Sequence, residues 1–464
     1  MSNKELNLGN PEKFSPLYCF LHNTWFRVLF FFWYKRIQVI GMKNLYAHKT
    51  TILAPNHQNT AMDALVVLGI SAKSVVWLAR ADMFKSKAAR PVLQFIKIMP
   101  IFRQRDGLKA LANNEKVFEK CSEVLKNGNL MALFPEATHW GFRRLRETKK
   151  AVPRIAFLAE EKHNFALDVH IVPTGIYYEN YQNPRSDLLI HFGTPIPVKQ
   201  FQTLHNENPQ QAQQELKEAI DAGMKEQMLA IQHYDDVYDA YDLLRYACAD
   251  EVGKRFEIQG RYLQKRLNTH KKVVELLDTI EQQKPKIHAE IMAKTKTYKQ
   301  NLQKQAFRDW VVAQKKTSAL HLAWNTLVLL VALPIFIVGY VLHGYLFHGF
   351  AAIARKTAKD KQFRSTVTFG ISYLLIPIIY IVYALLWVCA VNMPAWSIVP
   401  FWVAIFAAAL WSYDYAIVAK KTFKALSFNL QRMKNNPAIE ALIRQRGEIV
   451  ELFCEQVDEG MSEK

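Results

Sequence analysis

The stretch TILAPNHQNTAMD, residues 51–63, decides the fold and contains the first candidates for chemistry. Its apolar beginning, Thr51 to Ala54, is typical of a buried strand, and the residues from Ala61 onward favour a helix. His57 is therefore predicted at the carboxyl end of a strand and Asp63 in the helix that follows. This is the place where α/β folds keep their sites.

A histidine and a carboxylate in this arrangement can perform acid–base chemistry. The imidazole titrates near neutral pH and can take a proton from a hydroxyl, and a carboxylate on its other nitrogen fixes the tautomer. We predict His57 as a general base and Asp63 as the group that orients it. The alternative is a histidine that is only hydrogen-bonded, which is the commoner case for such a pair alone. No Gly-x-Ser-x-Gly elbow or cysteine lies near the pair, so the nucleophile would be the substrate's own hydroxyl.

Around this stretch, short β-branched and aromatic runs alternate with amphipathic helical segments. The alternation predicts an α/β fold with a mostly parallel sheet flanked by helices. The predicted strands are 36–41, 51–54, 74–79, 99–102, 129–134, 169–176 and 187–192. The predicted helices are 61–68, 82–96, 107–126 and 149–161.

Two further predicted strands also end in ionisable groups. The strand 99–102 runs into Arg103 and Arg105, which suit the bidentate capture of a phosphate. The strand 129–134 runs into Pro135-Glu136-Ala137-Thr138-His139. Because the carboxyl ends of parallel strands meet at one edge of a sheet, these groups are expected near His57.

The order of these blocks resembles the PlsC-type glycerolipid acyltransferase family, over about residues 15–200. The four blocks are Asn56-His57 to Asp63, Pro100-Ile101-Phe102-Arg103, Phe134-Pro135-Glu136-Ala137-Thr138-His139 and Val172-Pro173. The resemblance implies transfer of an acyl chain from a thioester to glycerol 3-phosphate or a lysophospholipid. It also implies that Arg103 and Arg105 hold a phosphate and that Glu136 and His139 shape the acceptor pocket.

The chain departs from the family pattern in two respects. Five residues rather than four separate His57 from Asp63, so His57 is expected in the turn before the helix, with Asn59 or Thr60 as the helix cap. Ala137 and His139 stand where the family has glycine and arginine. The missing arginine puts the phosphate contact at His139 in doubt.

Composition favours anionic partners. The 464-residue chain carries a formal net charge of +19, which suits acyl-CoA or acyl-ACP as donor and the anionic lipids of a membrane. A thioester is already activated, so we expect neither a metal nor a redox cofactor. The basic residues are not interleaved with aromatics in a stacking motif, so no nucleic acid is expected as a partner. A membrane-anchored scaffold without catalysis is the alternative from another class.

Two uncharged blocks have membrane lengths. Residues 365–413 read as two crossings, whereas residues 317–354 are broken by Pro334 and Gly339 and carry basic residues at both ends. We therefore predict a re-entrant hairpin in the first block, with a single span as the alternative. The catalytic domain is expected on the cytoplasmic face of an integral membrane protein.

The predicted organisation has five parts. An interfacial membrane-associated helix at 1–35 precedes the α/β acyltransferase domain at 36–205. A polar helical domain follows at 206–316, then a membrane domain at 317–419 and a cytoplasmic helical tail at 420–464. A buried amphipathic helix is the alternative for the first part.

Overall fold

The protein is described by a computed structural model that covers residues 8–87, 89–103, 106–107, 111–314 and 319–462. The chain divides into two compact units. The first unit comprises Met1–Ala230 together with Ala358–Phe369, and the second comprises Ile231–Thr357 together with Gly370–Lys464.

The first unit is built on an eight-stranded sheet in the order β1-β7-β6-β2-β5-β3-β4, with β8 paired to β6. Strands β2 to β6 run parallel to one another, β1 is parallel to β7, and β7 is antiparallel to β6. The mostly parallel sheet is thereby confirmed. The strands are β1 (Tyr34–Ile40), β2 (Thr51–Pro55), β3 (Val75–Arg80), β4 (Ile98–Ile101), β5 (Leu130–Ala132), β6 (His170–Tyr178), β7 (Ser186–Phe192) and β8 (Ile196–Pro197).

Helices flank this sheet, and the core lies between them and the strands. β2 and β6 are buried along their whole length, as expected of strands covered on both faces. The predicted helix 82–96 is instead a 3-10 turn at Ala81–Lys85 followed by a short helix. The α-helices up to residue 230 are Pro16–Leu21, Arg27–Trp33, Met42–Tyr46, Ala61–Ile70, Ala89–Phe95, Asn113–Lys126, Ala151–Glu161, Gln202–Glu207 and Pro209–Gln227.

The N-terminal helical segment has two apolar faces. A π-helical turn at His22–Phe26 joins its two α-helical parts. His22 is buried and donates to the carbonyl oxygen of Leu68 at 2.9 Å, so it does not share an exposed polar face with Asn23. The other face exposes large apolar side chains: Leu17, Phe20, Val28, Phe31 and Phe32.

The second unit is helical. The acidic stretch at 234–242 carries no metal-site signature and instead pairs with lysines of a neighbouring helix, as in Asp236 with Lys296 at 2.7 Å and Asp239 with Lys299. The α-helices of the polar part and the tail are Asp235–Ala247, Ala249–Arg255, Tyr262–Gln283, Pro285–Lys304, Asp309–Val312 and Pro437–Ser462.

Among the described residues, three helices are long and apolar enough to cross a membrane. We call them the first, second and third apolar helices. They are the helices Ala319–Thr357, Phe363–Leu385 and Ile398–Met433. Because these three helices are present, the predicted membrane character and transmembrane helices are confirmed.

The re-entrant hairpin predicted for residues 317–354 is wrong, because the first apolar helix is continuous through Pro334. Proline costs only one backbone hydrogen bond and bends a helix without always ending it. Gly339 does not break the helix either. A Cβ there would meet Ser412 Oγ at 2.0 Å and the Ala408 carbonyl oxygen at 2.3 Å, so glycine allows close packing against the third apolar helix.

This contact predicts a position-specific effect of adding one methyl group. Gly339→Ala should lower the free energy of unfolding of the detergent-solubilised protein by about 1–3 kcal/mol, because the new Cβ overlaps the third apolar helix. Its melting temperature should fall accordingly. Gly349→Ala in the same helix is the matched control, since a Cβ there has nothing within 4 Å. We expect it to be neutral or stabilising. Equal melting temperatures for the two variants would contradict the packing.

Candidate active site

The strand ends place His57 and Asp63 together. His57 follows β2, and its Nδ1 donates to Asp63 Oδ2 across 3.0 Å. The His57 side chain is 13% exposed and the Asp63 side chain 1%, so the pair is protected but the imidazole remains reachable. With Nδ1 bound to the carboxylate, Nε2 is the nitrogen available to take a proton.

Asp63 is held by more than the histidine. Its Oδ2 also accepts from the backbone N–H groups of Gln58 and Asn59, each at 2.8 Å. Its Oδ1 accepts from the hydroxyl of Tyr178 at 2.8 Å. The residue is fully buried, so these four bonds compensate for the loss of water around a charge.

Thr60 and Asn59 do not cap the helix with their side chains, contrary to the prediction. Thr60 occupies the N-cap position with φ 49° and makes no side-chain cap. Asp63, inside the first helical turn, reaches back and binds the N–H groups that precede the helix. The loop between the two residues folds over the Asp63 carboxylate. Asp63 therefore contacts His57 although the two are six positions apart.

Tyr178 was missed by the sequence reasoning. It lies at the end of β6, which is the strand next to β2, and it is buried. The signal that could have found it is the predicted strand 169–176, whose carboxyl end should reach the same sheet edge. Asn56 also bonds to β6, since its side chain exchanges two hydrogen bonds with the backbone of Ile176, at 2.6 and 3.1 Å.

Glu136 braces two loops. Its Oε1 accepts from the backbone N–H of His57 at 2.7 Å, and its Oε2 accepts from the backbone N–H of Arg146 at 2.9 Å. Burial raises the pKa of Glu136 to about 8, and the two backbone donors oppose that rise. Both oxygens are engaged, so we expect Glu136 to position the His57 loop rather than to touch the acceptor.

The imidazole of His57 packs against an aromatic ring. Its ring stacks on Phe134 with centroids 3.8 Å apart, and Phe134 stacks in turn on Trp77 at 5.1 Å. Phe134 directly precedes Pro135-Glu136, so the same loop that braces the backbone of His57 also supports its ring. This packing restricts the ring to one orientation.

Arg103 lies at the same edge of the sheet, after β4. Its Nη2 is 3.3 Å from Asp82 Oδ2 and 3.6 Å from Asp106 Oδ1. Its Nε and Nη1 are buried and have no hydrogen-bond partner among the described residues. Two donors of the guanidinium thus remain for a ligand, which suits the predicted phosphate contact. Arg105 lies outside the described residues.

His139 lies beside His57, with ring centroids 5.6 Å apart and an interplanar angle of 79°. Its Nε2 donates to Asp360 Oδ2 at 3.0 Å. Ala137, which replaces the family glycine, is exposed and adopts φ 58°. The loop therefore keeps a left-handed backbone that favours glycine even though a Cβ is present.

Two groups of potential metal ligands lie elsewhere in the described chain. One is His48, Asp168 and His170, and the other is His233 with two carboxylates of the second unit. The rings of His48 and His170 stack face to face at 3.3 Å, so their in-plane lone pairs run side by side and do not converge. We assign no function to either group.

Comparison with known proteins finds a matching family model and a similar solved structure. Residues 36–177 match the family model described as Acyltransferase. The resemblance to this family is confirmed. Among solved structures, the chain is similar to the 1-acyl-sn-glycerophosphate (LPA) acyltransferase PlsC from Thermotoga maritima, with 18% sequence identity and a TM-score of 0.33. That similarity covers 45% of this chain and 79% of the other. A search of curated proteins finds no match.

The bracing role of Glu136 predicts two separable effects of Glu136→Gln. Glutamine offers one oxygen and one NH₂ group to two N–H donors, so one bond is lost and the His57 loop shifts. We expect kcat to fall by about tenfold or more, as misplacement of a catalytic group does.

The same variant should change how stability depends on pH. The pKa of Glu136 is about 8 in the folded protein and 4.5 as the ordinary value, so the folded state holds a proton that the unfolded state has lost between these limits. The free energy of unfolding therefore falls as pH rises through this window. Glu136→Gln should flatten that fall in thermal unfolding from pH 5 to pH 8. An unchanged slope would show that another group causes it.

Proposed function

We propose that this acyltransferase is a membrane-bound O-acyltransferase that acylates a glycerophospholipid precursor, with 1-acyl-sn-glycerol 3-phosphate as the preferred acceptor and phosphatidic acid as the product. The donor is acyl-CoA or acyl-ACP. The observation that carries the proposal is the buried His57–Asp63 pair within the acyltransferase domain, with Nε2 of His57 left to meet a hydroxyl.

The reaction follows from this geometry without a covalent enzyme intermediate. His57 Nε2 takes the proton of the acceptor hydroxyl as its oxygen attacks the thioester carbonyl carbon. The carbon–sulfur bond then breaks, and the thiolate takes the proton back from the imidazolium. Asp63 fixes the tautomer that makes Nε2 the base and stabilises the imidazolium between the two steps.

Arg103 supports a phosphorylated acceptor. Its two buried donors without a partner among the described residues suit a phosphate, and Asp82 and Asp106 hold the rest of the guanidinium in place. Glycerol 3-phosphate offers the same phosphate and is the second candidate acceptor. Another lysolipid that lacks a phosphate monoester would leave these donors unused.

Replacement of the base tests this function directly. His57→Ala should reduce kcat by about 10² to 10⁴, because the hydroxyl loses its general base while the fold keeps its core. Asp63→Asn should also reduce kcat by orders of magnitude, through the wrong tautomer. Mass spectrometry of products from purified full-length protein should be run with acyl-CoA and with acyl-ACP against 1-acylglycerol 3-phosphate, glycerol 3-phosphate and an uncharged lysolipid.

His163→Ala is the matched control, since this histidine lies in the turn after the helix Ala151–Glu161 and takes no part in the site. It should keep wild-type turnover. Activity of His57→Ala within about threefold of wild type would remove the assignment of the base. A wild-type protein that acylates none of the acceptors but binds anionic vesicles would favour the scaffold alternative.

We also propose that the catalytic domain faces the cytoplasm and that the first apolar helix begins and ends on that side. In the described chain, the three candidate spans all lie beyond residue 322, so none separates the first unit's Ala230 from the start of this helix. Ala358–Phe369, which follows the helix, belongs to the first unit. Basic residues flank both ends, as expected on the cytoplasmic side: Arg308, Lys315, Lys316, Arg355, Lys356, Lys359, Lys361 and Arg364.

The helix is longer than a crossing requires. Its 39 residues correspond to about 58 Å at 1.5 Å per residue, against a hydrocarbon core of about 30 Å. A continuous helix of that length can keep both ends on one side by lying within one leaflet. The exposed apolar face at Leu17, Phe20 and Phe31 would rest on the same surface.

Cysteine accessibility decides the sidedness. In a cysteine-free background, Gln314→Cys and Lys359→Cys should both react with a membrane-impermeant maleimide only when the cytoplasmic face is accessible. Gln314 precedes the first apolar helix in the sequence and Lys359 follows it, so the two cysteines mark its two ends. Labelling of the two cysteines from opposite faces would show that the helix crosses the bilayer once.

A further inference from the structure

A segment remote in sequence lies against the catalytic loops. We call residues 358–369 the return segment, since they follow the first apolar helix and belong to the first unit. Nothing in their sequence marks them as part of an active site. Their polar side chains nevertheless meet the loop after His57 and the loop after Glu136.

The first contact is between Asp360 and His139, which are 221 positions apart in the chain. Asp360 Oδ2 accepts from His139 Nε2 at 3.0 Å, and its Oδ1 accepts from the backbone N–H of Gln362 at 2.9 Å. Both carboxylate oxygens are therefore fixed. The hydrogen bond from His139 lowers the pKa of Asp360, so the carboxylate is the stable form.

The second contact is with the loop between His57 and Asp63. Ser365 is buried and donates to Asn59 Oδ1 at 3.0 Å. The hydroxyl groups of Thr366 and Thr60 form a hydrogen bond at 2.9 Å. Asn59 and Thr60 belong to the loop that binds the Asp63 carboxylate, so the return segment touches both halves of the site.

Aromatic packing fixes the segment in this position. Phe363 meets the edge of the His139 ring at 5.3 Å and 85°, and Phe369 packs edge-on against Phe26 and Trp33 of the N-terminal helical segment. At Gly141 a Cβ would meet Gln362 Nε2 at 2.2 Å, so glycine allows the close approach. The segment is held at several points, not by Asp360 alone.

The bond to Asp360 decides which nitrogen of His139 can meet a ligand. A guanidinium is always charged and offers several donors, whereas an imidazole has two nitrogens whose roles depend on what each one binds. With Nε2 donating to Asp360, Nδ1 is the His139 nitrogen that has no partner among the described residues, and it can donate to an anion only when the imidazole carries both protons. The ring centroid of His139 lies 5.6 Å from that of His57, beside the place where the proposed acceptor hydroxyl meets His57.

We propose that Asp360 is a positioning residue for the acceptor: it holds His139 beside His57, so that Nδ1–H of the doubly protonated imidazole donates to a phosphate of the acceptor. The ligand chemistry is a phosphate monoester on the acceptor, such as that of 1-acylglycerol 3-phosphate. The inference rests on the proposed function, because it assumes acyl transfer to a phosphorylated lipid.

The test is a comparison of Michaelis constants in the full-length protein. Asp360→Ala should raise the KM for 1-acylglycerol 3-phosphate by about tenfold and leave the KM for the acyl donor unchanged, because only the acceptor side loses a charge-assisted contact. His139→Ala should have the same effect. The double variant should be no worse than either single one, since the two side chains act as a unit.

Restoring the family residue separates positioning from structural support. In a His139→Arg background, Asp360→Ala should raise the KM for the acceptor by less than about twofold, because a guanidinium keeps its charge without a partner. Lys359→Ala is the matched control next to Asp360, exposed and outside the site. It should change neither constant.

The possible results are distinguishable. In one result, the wild type transfers acyl chains while Asp360→Ala raises both KM values and lowers kcat to the same extent. That result would mean that the segment only supports the fold, and the inference would fall. The same holds if His139→Arg does not rescue Asp360→Ala. Absence of transfer to any phosphorylated acceptor by the wild type would instead overturn the proposed function.

Discussion

The site depends on one buried carboxylate. Asp63 accepts four hydrogen bonds, from an imidazole, two backbone amides and a phenol, and it is fully buried. A buried charge is tolerated only when it is fully bonded. Asp63 therefore fixes the loop, the histidine tautomer and the end of β6 in a single arrangement. Removal of any donor would leave part of the carboxylate charge without a hydrogen bond in a low-dielectric interior.

Glu136 extends this logic to the neighbouring strand. It binds the backbone of His57 from the loop after β5, so the histidine is held by its ring through Asp63 and by its main chain through Glu136. The two carboxylates differ in their donors. Asp63 accepts from an imidazole and a phenol as well as from two backbone amides, whereas Glu136 accepts only from backbone N–H groups. Burial raises the pKa of Glu136 to about 8. One carboxylate orients the imidazole of His57, and the other fixes the loop that carries it.

The membrane-facing parts of the chain show how local signals can mislead. Pro334 and Gly339 both break helices in water, and they led to the prediction of a hairpin. In the structure the proline is accommodated, and the glycine lets Ser412 and Ala408 approach. Apolar surroundings penalise an open backbone, so a helix is kept where water would have ended it. The residue type was informative, but its role was set by a neighbour distant in sequence.

The sequence by itself determined the sheet, the strand ends and the His57–Asp63 pair, because alternating periodicity and motif spacing are local and the carboxyl ends of parallel strands must meet. It also indicated Arg103, Glu136 and His139 as neighbours of the base. Only the tertiary structure decided that Tyr178 binds Asp63, that Glu136 binds backbone, and that Asp360 binds His139. Tyr178 lies 115 positions from Asp63, Glu136 lies 79 positions from the backbone N–H of His57, and Asp360 lies 221 positions from His139. Such pairings are fixed by how the chain packs, and a single sequence contains no local pattern that records them.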